Sequence, residues 1–209
     1  MAEPPVELLV ATGNPGKIRE FRRLLADLPG VAVRGLSDVP TMAEPIEDGE
    51  RFEDNATIKA VSAARITGML TLSDDSGLEV DALGGAPGVY SARYAGEGAD
   101  DGANNDRLLR ELQGVVDAER GARYRVVLAL VDPAGPLGLS PHFERGACEG
   151  RVVHAPVGDG GFGYDPIFQP AAHDCTMAQL SPEQKSAIDH RGQAVQKMRS
   201  FLVDYLKRR

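Results

Sequence analysis

Four acidic residues lie close together after an apolar segment, Gly68–Leu72, that predicts a buried strand. They are, in chain order, Asp74, Asp75, Glu79 and Asp81. Neighbouring carboxylates repel one another, so such a group is stable where water or a cation separates the charges. The stretch Ser73–Asp81 is therefore either a solvated acidic turn at the end of the strand or the metal-binding part of a site.

A glycine-containing turn joins the first predicted strand, Val6–Ala11, to an amphipathic helix that follows Lys17. The residues of this turn are Thr12, Gly13, Asn14, Pro15, Gly16 and Lys17. Free N–H groups and the positive end of the helix dipole suit an anion at such a junction, and a lysine strengthens the attraction. The spacing does not match a P-loop, which has four residues between its glycines and a hydroxyl residue after the lysine. A phosphate-binding turn and an ordinary strand–helix connection both fit the segment.

A second glycine-rich segment, Gly158–Phe168, contains four glycines and three aromatic residues. This density of glycine is typical of a backbone that another group approaches closely. Phe162 and Tyr164 could enclose a planar ring, with Asp165 accepting hydrogen bonds from the edge of that ring. A glycine-rich turn that covers the core with its aromatic side chains would explain the same pattern.

A basic group, Lys185, His190 and Arg191, surrounds the junction of the last two predicted helices. Together with the segments above, it completes what a nucleoside triphosphate requires: cations and N–H groups for the phosphates, carboxylates for Mg²⁺ and an aromatic ring for the base. The four histidines are scattered along the chain, so the sequence does not favour a Ser–His–Asp or Cys–His nucleophile.

Strands and helices alternate between these segments. Further strands are predicted at Val31–Val33, Arg123–Val131 and Phe143–Val153, the last two as a hairpin. Further helices are predicted at Asn55–Thr67, Asn105–Leu112 and Gln193–Leu206, and one begins at Pro182 with Ser181 as its N-cap. Lys59, on the first of these helices, could face either the site or water.

Length and composition indicate a soluble globular protein of 209 residues, with 42% hydrophobic and 26% charged residues. The net charge of −8 argues against a broad basic surface for nucleic acid. Cys148 and Cys175 lack the spacing of a zinc site and fit a reducing cytoplasm. Met1–Pro5 has no signal-peptide pattern and no run has the length of a membrane span, so a cytoplasmic protein without membrane contact is expected.

With these segments in this order, the sequence resembles the Ham1/inosine triphosphatase family, and specifically its bacterial dITP/XTP pyrophosphatase branch. The resemblance extends over nearly the whole chain. The matching motifs are Ala11–Lys17, Phe52–Ala56, Asp74–Val80, Gly84–Tyr94, Gly160–Phe168 and Glu183–Gln193. Any one of them is weakly specific, whereas all of them in order are highly specific.

The resemblance implies an α/β fold with an elongated mixed β-sheet flanked by helices. Residues 1–209 would form a single domain of two lobes without a linker, with the active site in the cleft between the lobes. The resemblance also implies Mg²⁺-dependent hydrolysis of dITP, ITP and XTP to the monophosphate and pyrophosphate, which removes deaminated purines from the nucleotide pool. A homodimer is common in the family and is expected here.

The resemblance also assigns roles to individual residues. Thr12–Lys17 would hold the triphosphate, and Asp75 would bind Mg²⁺ and accept a proton from the attacking water, with Asp74 in a supporting role. Substrate contacts are further implied for Ser76, for the base pocket formed by Phe162, Gly163, Tyr164 and Asp165, and for Lys185, His190 and Arg191, which would read the base and the phosphates. Glu47 aligns best as the second metal ligand, but its loop is one residue longer than usual, so Glu44 and Asp48 stay open.

One residue, Asp189, departs from the family pattern, which usually has Ser before His–Arg. Its charge could weaken phosphate binding, or its side chain could cap the following helix. Two other functions would explain some of the predicted site residues. One is a nucleotide-binding sensor without turnover. The other is a pyrophosphatase like the Maf group, which lacks the Phe-Gly-Tyr-Asp and His-Arg segments found here.

Overall fold

The computed structural model of the protein describes residues 4–209. Met1–Glu3, which belong to the segment where no signal peptide is expected, lie outside the described residues. The strands are β1 Val6–Val10, β2 Val31–Gly35, β3 Leu70–Val80, β4 Gly121–Asp132, β5 Gly138–Val152 and β6 Phe168–Pro170. The α-helices are α1 Pro15–Leu24, α2 Phe52–Thr67, α3 Asp101–Glu111, α4 Pro182–Ile188 and α5 His190–Leu206. Within residues 4–209, no helix has the length and apolar character needed to cross a membrane.

The six strands form one sheet in the order β2–β1–β3–β4–β5–β6. Strand β1 is parallel to β2 and to β3, whereas β6 is antiparallel to β5. The parallel neighbours β1 and β2 are connected through helix α1, because parallel strands need a crossover. Leu8, Leu9 and Val10 are fully buried, as expected for an inner parallel strand covered on both faces. The predicted mixed sheet of an α/β protein is confirmed.

Most of the acidic stretch belongs to a strand and not, as predicted, to the turn after one, and of its four carboxylates only Asp81 follows the strand. Strand β3 has 11 residues and runs from Leu70 to Val80. Its polar side chains find distant partners, for example Ser73, whose hydroxyl donates to the carbonyl of Ala56 at 2.5 Å. Pairing with β1 ends where Val10 faces Leu72. Asp74 and Asp75 therefore lie just beyond the carboxyl end of β1, the edge at which open α/β sheets place ligands.

Four helices, α1, α2, α3 and α5, begin earlier than the sequence predicted. Helix α3 starts at Asp101 because Asp100 caps it, accepting a hydrogen bond from the N–H of Ala103 at 2.7 Å. Helix α5 starts at His190, so Asp189 alone separates it from α4. The short strand β6 was not predicted.

The chain divides into two compact units. The first unit contains the described part of Met1–Asp75 together with Val127–Arg145 and Ala194–Arg209. The second unit contains Ser76–Val126 and Gly146–Gln193, and its core includes Leu78, Leu108, Tyr164 and Phe168. The single domain and the cleft between lobes stay predictions.

Candidate active site

The turn after β1 is shaped by its own side chains. The carboxamide oxygen of Asn14 accepts hydrogen bonds from the N–H groups of Gly16 at 2.8 Å and Lys17 at 3.1 Å. The N–H of Asn14 donates to the Thr12 hydroxyl at 3.2 Å. Asn14 is thus the N-cap of α1, and Pro15, which has no N–H, occupies the first helical position. The prediction of free N–H groups at this junction is wrong, because the Asn14 cap engages those of Gly16 and Lys17.

The cation of the turn, Lys17, points towards the end of β3. Its Nζ lies 3.0 Å from Oδ2 of Asp74, whose side chain is fully buried. The Glu44 carboxylate lies beside the same turn, since a Cβ added at Gly13 would be 3.0 Å from Glu44 Oε1. Asp74 therefore fixes where the Lys17 ammonium lies, which agrees with the supporting role expected for it.

Lys59, on α2, joins the two carboxylates that the resemblance assigns to the metal. Its Nζ lies 2.8 Å from Oε2 of Glu47 and 2.9 Å from Oδ1 of Asp75. Burial alone would lower the pKa of Lys59, but the carboxylates of Asp75, Asp74 and Glu47 outweigh it and raise that pKa above its ordinary value. The sequence left the direction of Lys59 open, and the structure places it at the carboxylates.

Asp75 is 7% exposed and keeps acceptor capacity. Within residues 4–209, hydrogen bonds reach it from Lys59 Nζ at 2.9 Å and from Asn55 Nδ2 at 3.4 Å. A carboxylate offers about four acceptor positions, so a water molecule or a cation can still bind. Burial raises the pKa of the Asp75 carboxyl, and the ammonium groups of Lys59 and Lys17 oppose that rise.

Glu47 and Asp75 suit a divalent cation, because they already converge on one positive charge, the Lys59 ammonium. Mg²⁺ is usually held by one or two carboxylates together with substrate phosphates and water. Residues 4–209 contain no group of three or more His, Cys, Asp or Glu side chains placed to hold a metal. A metal ion here would therefore need phosphate or water oxygens as further ligands. Of the three carboxylates left open, Glu47 is the one that shares Lys59 with Asp75.

In the second unit, the buried Asp165 side chain holds the glycine-rich segment Gly158–Phe168, which we call the aromatic loop. Its Oδ2 accepts hydrogen bonds from the N–H of Phe162 at 2.9 Å and from Lys185 Nζ at 2.7 Å. Its Oδ1 accepts one from the Tyr124 hydroxyl at 3.3 Å. Asp165 and Lys185 are only 2% and 5% exposed. Asp165 therefore binds the loop and Lys185, whereas the sequence predicted hydrogen bonds from the edge of a base to this side chain.

Phe162 and Tyr164 have different surroundings. Lys185 Nζ lies 4.5 Å and Arg191 Cζ 5.6 Å from the centroid of the half-buried Phe162 ring. Tyr164 belongs to the core, its hydroxyl donates to the carbonyl of Ser91 at 2.8 Å, and burial raises its pKa well above the ordinary value. The core therefore covers the Tyr164 ring, and the stacking of a planar ligand stays a prediction that Phe162 can serve more readily.

The basic residues at the α4–α5 junction are buried and partnered. The His190 ring stacks on Tyr124, with ring centroids 4.7 Å apart and planes at 4°. Arg191 Nη2 donates to the hydroxyl of Ser76 at 3.1 Å, although 115 positions separate the two residues. The second unit thus brings Ser76 and Arg191 together, and Arg191 and Lys185 both lie over the Phe162 ring.

Asp189, which departs from the family pattern, caps helix α5. Its Oδ1 accepts a hydrogen bond from the N–H of Gly192 at 2.6 Å. The junction is tight, because a Cβ at Gly192 would lie 1.8 Å from the carbonyl oxygen of Ser186. The capping alternative is the one that the structure shows, and the cap orients the first two residues of α5, His190 and Arg191.

The family model described as the Ham1 family matches residues 8–201. The dITP/XTP pyrophosphatase of Desulforamulus reducens is 48% identical over 197 residues, which cover 94% of this chain and 96% of that protein. The dITP/XTP pyrophosphatase of Vibrio cholerae is 48% identical over 194 residues, which cover 92% of this chain and 94% of that protein.

Solved structures are similar over the same length. The Ham1 protein of Staphylococcus aureus superposes with a TM-score of 0.82 at 39% identity, covering 95% of this chain and 98% of that one. The nucleoside-triphosphatase or dITP/XTP pyrophosphatase of Mycobacterium abscessus has a TM-score of 0.73 at 44% identity, covering 92% and 98%. With nearly its full length matched in sequence and in structure, the chain belongs to the Ham1 family.

Proposed function

We propose that this protein hydrolyses dITP, ITP and XTP to the nucleoside monophosphate and pyrophosphate. The observation that carries the proposal is the convergence of Asp75 and Glu47 on Lys59 beside the turn that holds Lys17. Relatives that match over nearly their whole length are dITP/XTP pyrophosphatases, which supports this substrate class.

The charge of the substrate explains why these cations are needed. A triphosphate carries about −4 near neutral pH, because its terminal phosphate ionises with a pKa of about 6. The protein itself has a net charge of −8, so attraction must come from local groups. We assign Lys17 and the Thr12–Lys17 turn to the phosphates in the first unit, and Arg191 with Ser76 to substrate contacts in the second.

Asp75 is proposed as the proton acceptor. Water attacks the α-phosphorus, its proton passes to a carboxylate oxygen of Asp75, and the bond to the bridging oxygen breaks so that pyrophosphate leaves. The Lys59 contact fixes one oxygen of Asp75, so the other oxygen has a defined direction. Mg²⁺ bound at Glu47 and Asp75 would supply charge neutralisation for the phosphates.

Selection of the base is assigned to the second unit. Inosine and xanthine present a carbonyl at C6, where adenine presents an amino group. Lys185, His190 and Arg191 are donors at most 5% exposed, so they suit the carbonyl at C6 and would meet the amino group of adenine with donor against donor. Adenine nucleotides are therefore rejected, and the Phe162 ring provides a stacking surface for the bases that are accepted.

The cellular setting follows from the same proposal. An enzyme that removes deaminated purine nucleotides acts where nucleic acid precursors are made, which places it in the cytoplasm. Free thiols at Cys148 and Cys175 are compatible with that compartment. We also propose a homodimer, on the resemblance to the family.

A panel of nucleoside triphosphates tests this function. dITP, ITP and XTP are expected to release pyrophosphate in the presence of Mg²⁺, whereas ATP and dATP release little and a chelator stops the reaction. Orthophosphate as the first product would place cleavage at the β–γ bond and contradict the proposal. Tight binding of ITP without turnover in Mg²⁺ would favour the nucleotide-sensor alternative.

A further inference from the structure

Helix α3 binds both sides of one residue in the aromatic loop, Gly163. The N–H of Gly163 donates to Oδ2 of Asp101 at 2.6 Å. The carbonyl of Gly163 accepts a hydrogen bond from Nδ2 of Asn105 at 3.1 Å. Asp101 and Asn105 are four residues apart on α3, so their side chains lie on the same face of the helix. We call this pair the Gly163 clamp.

The clamp belongs to a helix that is itself fixed. The carboxamide oxygen of Asn104 accepts a hydrogen bond from the N–H of Ala95 at 2.7 Å, and its Nδ2 donates to the carbonyl of Ala92 at 3.3 Å. Leu108 of the same helix is completely buried in the core of the second unit. Helix α3 is therefore a rigid support for the residues that hold Gly163.

Gly163 needs support because of its backbone conformation. Its φ angle is +63°, in the left-handed region that glycine tolerates best. The preceding residue, Phe162, has its own N–H bound to Asp165 at 2.9 Å. Contacts from Asp165 on one side and from the clamp on the other thus fix the backbone of Phe162, whose ring lies beside Lys185 and Arg191.

We propose that Asp101 and Asn105 are positioning residues that set the purine selectivity of the enzyme. This proposal rests on the proposed function, because Phe162 is assigned there to the base. The clamp holds the Phe162 ring at a fixed distance from the donors Lys185 and Arg191, so a base stacked on the ring presents its C6 edge to them. Misplacement by about 1 Å can change a rate by about 100-fold, so a loosened loop would weaken the discrimination.

Alanine and asparagine at position 101 separate the hydrogen bond from the charge. Asp101→Ala removes the acceptor for the Gly163 N–H, whereas Asp101→Asn keeps an acceptor oxygen and loses only the charge. Asp101→Ala is expected to raise KM for ITP about tenfold, with a smaller change in kcat. It should also lower the ratio of kcat/KM for ITP to kcat/KM for ATP. Asp101→Asn should stay close to wild type in both KM and this ratio. Asn105→Ala should change both quantities in the same direction as Asp101→Ala.

Asp106→Ala is the matched control, since Asp106 is an exposed aspartate on the same helix. It is expected to leave KM and the ITP-to-ATP ratio unchanged. Thermal unfolding of every variant separates loss of selectivity from loss of fold. An unchanged ratio in folded Asp101→Ala and Asn105→Ala would overturn the proposal, as would an equal effect of Asp106→Ala.

Binding measurements separate this proposal from the proposed function. If the wild type binds ITP but releases no pyrophosphate, the proposed function fails. Calorimetric affinities for ITP and ATP in the same variants then decide about the clamp, with a smaller difference expected in Asp101→Ala. A wild type that does not distinguish ITP from ATP in binding or in turnover would overturn both.

Discussion

Two of the buried aspartate–lysine pairs, one taken from each unit, have similar geometry and different surroundings. Asp75 and Lys59 are 2.9 Å apart in the first unit, and Asp165 and Lys185 are 2.7 Å apart in the second. Asp165 also accepts from the Phe162 N–H and the Tyr124 hydroxyl, so at least three donors reach it. Asp75 has one long additional contact, from Asn55 at 3.4 Å. The second carboxylate is therefore more fully engaged, and the first has room for a ligand.

The charged groups around the two lysines also differ. Lys59 lies between two carboxylates, Glu47 and Asp75, so negative charge exceeds positive charge in this cluster. Lys185 lies over the Phe162 ring, which Arg191 also approaches, so donors predominate there. A cluster with excess carboxylate attracts cations, whereas a cluster rich in donors attracts carbonyl or phosphate oxygens. In the function we propose, one type of ion pair thus serves a reactive centre in one unit and a recognition surface in the other.

The largest expected effect is on turnover at the first pair. Asp75→Asn removes the proton acceptor while keeping side-chain size, so kcat for dITP should fall by about 1,000-fold. Its thermal unfolding should stay near wild type, because Lys59 keeps its contact with Glu47. Asp81→Asn is the matched control, since Asp81 follows the same strand and its side chain is 53% exposed. Near-normal pyrophosphate release by Asp75→Asn would contradict the distinction between the two pairs.

Substitution of the two lysines should lower the free energy of unfolding by different amounts. Lys185→Met leaves the Asp165 carboxylate buried without its ammonium partner, which is expected to lower the free energy of unfolding by about 3–5 kcal/mol. Lys59→Met should cost less, because the side chains of Lys59 and Asp75 are 14% and 10% exposed, against 6% and 3% in the second pair. Urea denaturation gives both free energies, and pyrophosphate release gives the activities. A larger loss of unfolding free energy in Lys59→Met than in Lys185→Met would contradict the conclusion that Asp165 is the more fully engaged carboxylate.

Local patterns in the sequence were sufficient for the order of strand, turn and helix around Lys17 and for the start of α4. Pro182 begins α4 behind the Ser181 cap as predicted, since both signals lie within a few residues. The limits of β3 could not be predicted, because Asp74 is accommodated in the strand by Lys17, a residue far away in the sequence. A buried polar segment in a strand looks like a turn until its distant partners are known.

The contacts that distinguish the two pairs also depend on tertiary structure. Lys59 and Glu47 lie 12 positions apart, and Asp101 and Gly163 lie 62 positions apart. Tyr164 belongs to the motif of the aromatic loop, yet the core covers its ring. Sequence motifs therefore predict the segments of the site, whereas burial and partners decide which side chain in each segment can meet a ligand.

The smallest expected effect concerns the core of the second unit, which contains the buried thiol of Cys148. Burial raises the pKa of this thiol to about 12 from 9.0, and the carboxylates of Asp189 and Glu149 add to the rise. The unfolded thiol ionises above pH 9.0 and the folded thiol does not until about pH 12. The stabilising contribution of the neutral thiol is therefore complete below pH 9.0 and is lost as the pH rises towards 12.

At pH 10 this loss amounts to about 1.4 kcal/mol, because pH 10 lies one unit above the unfolded pKa and one unit corresponds to about 1.4 kcal/mol. Between pH 8 and pH 10, the free energy of unfolding of Cys148→Ala should therefore fall by about 1.4 kcal/mol less than that of the wild type in urea denaturation. Cys175→Ala, which changes a thiol that is only partly buried, is the control and should follow the wild type. The comparison uses differences between pH values, so a constant loss from the smaller side chain cancels. If the free energy of unfolding of Cys148→Ala falls as much as that of the wild type, water reaches the core of the second unit. The difference in burial between the Asp165–Lys185 pair and the Asp75–Lys59 pair is then smaller than the exposed fractions indicate.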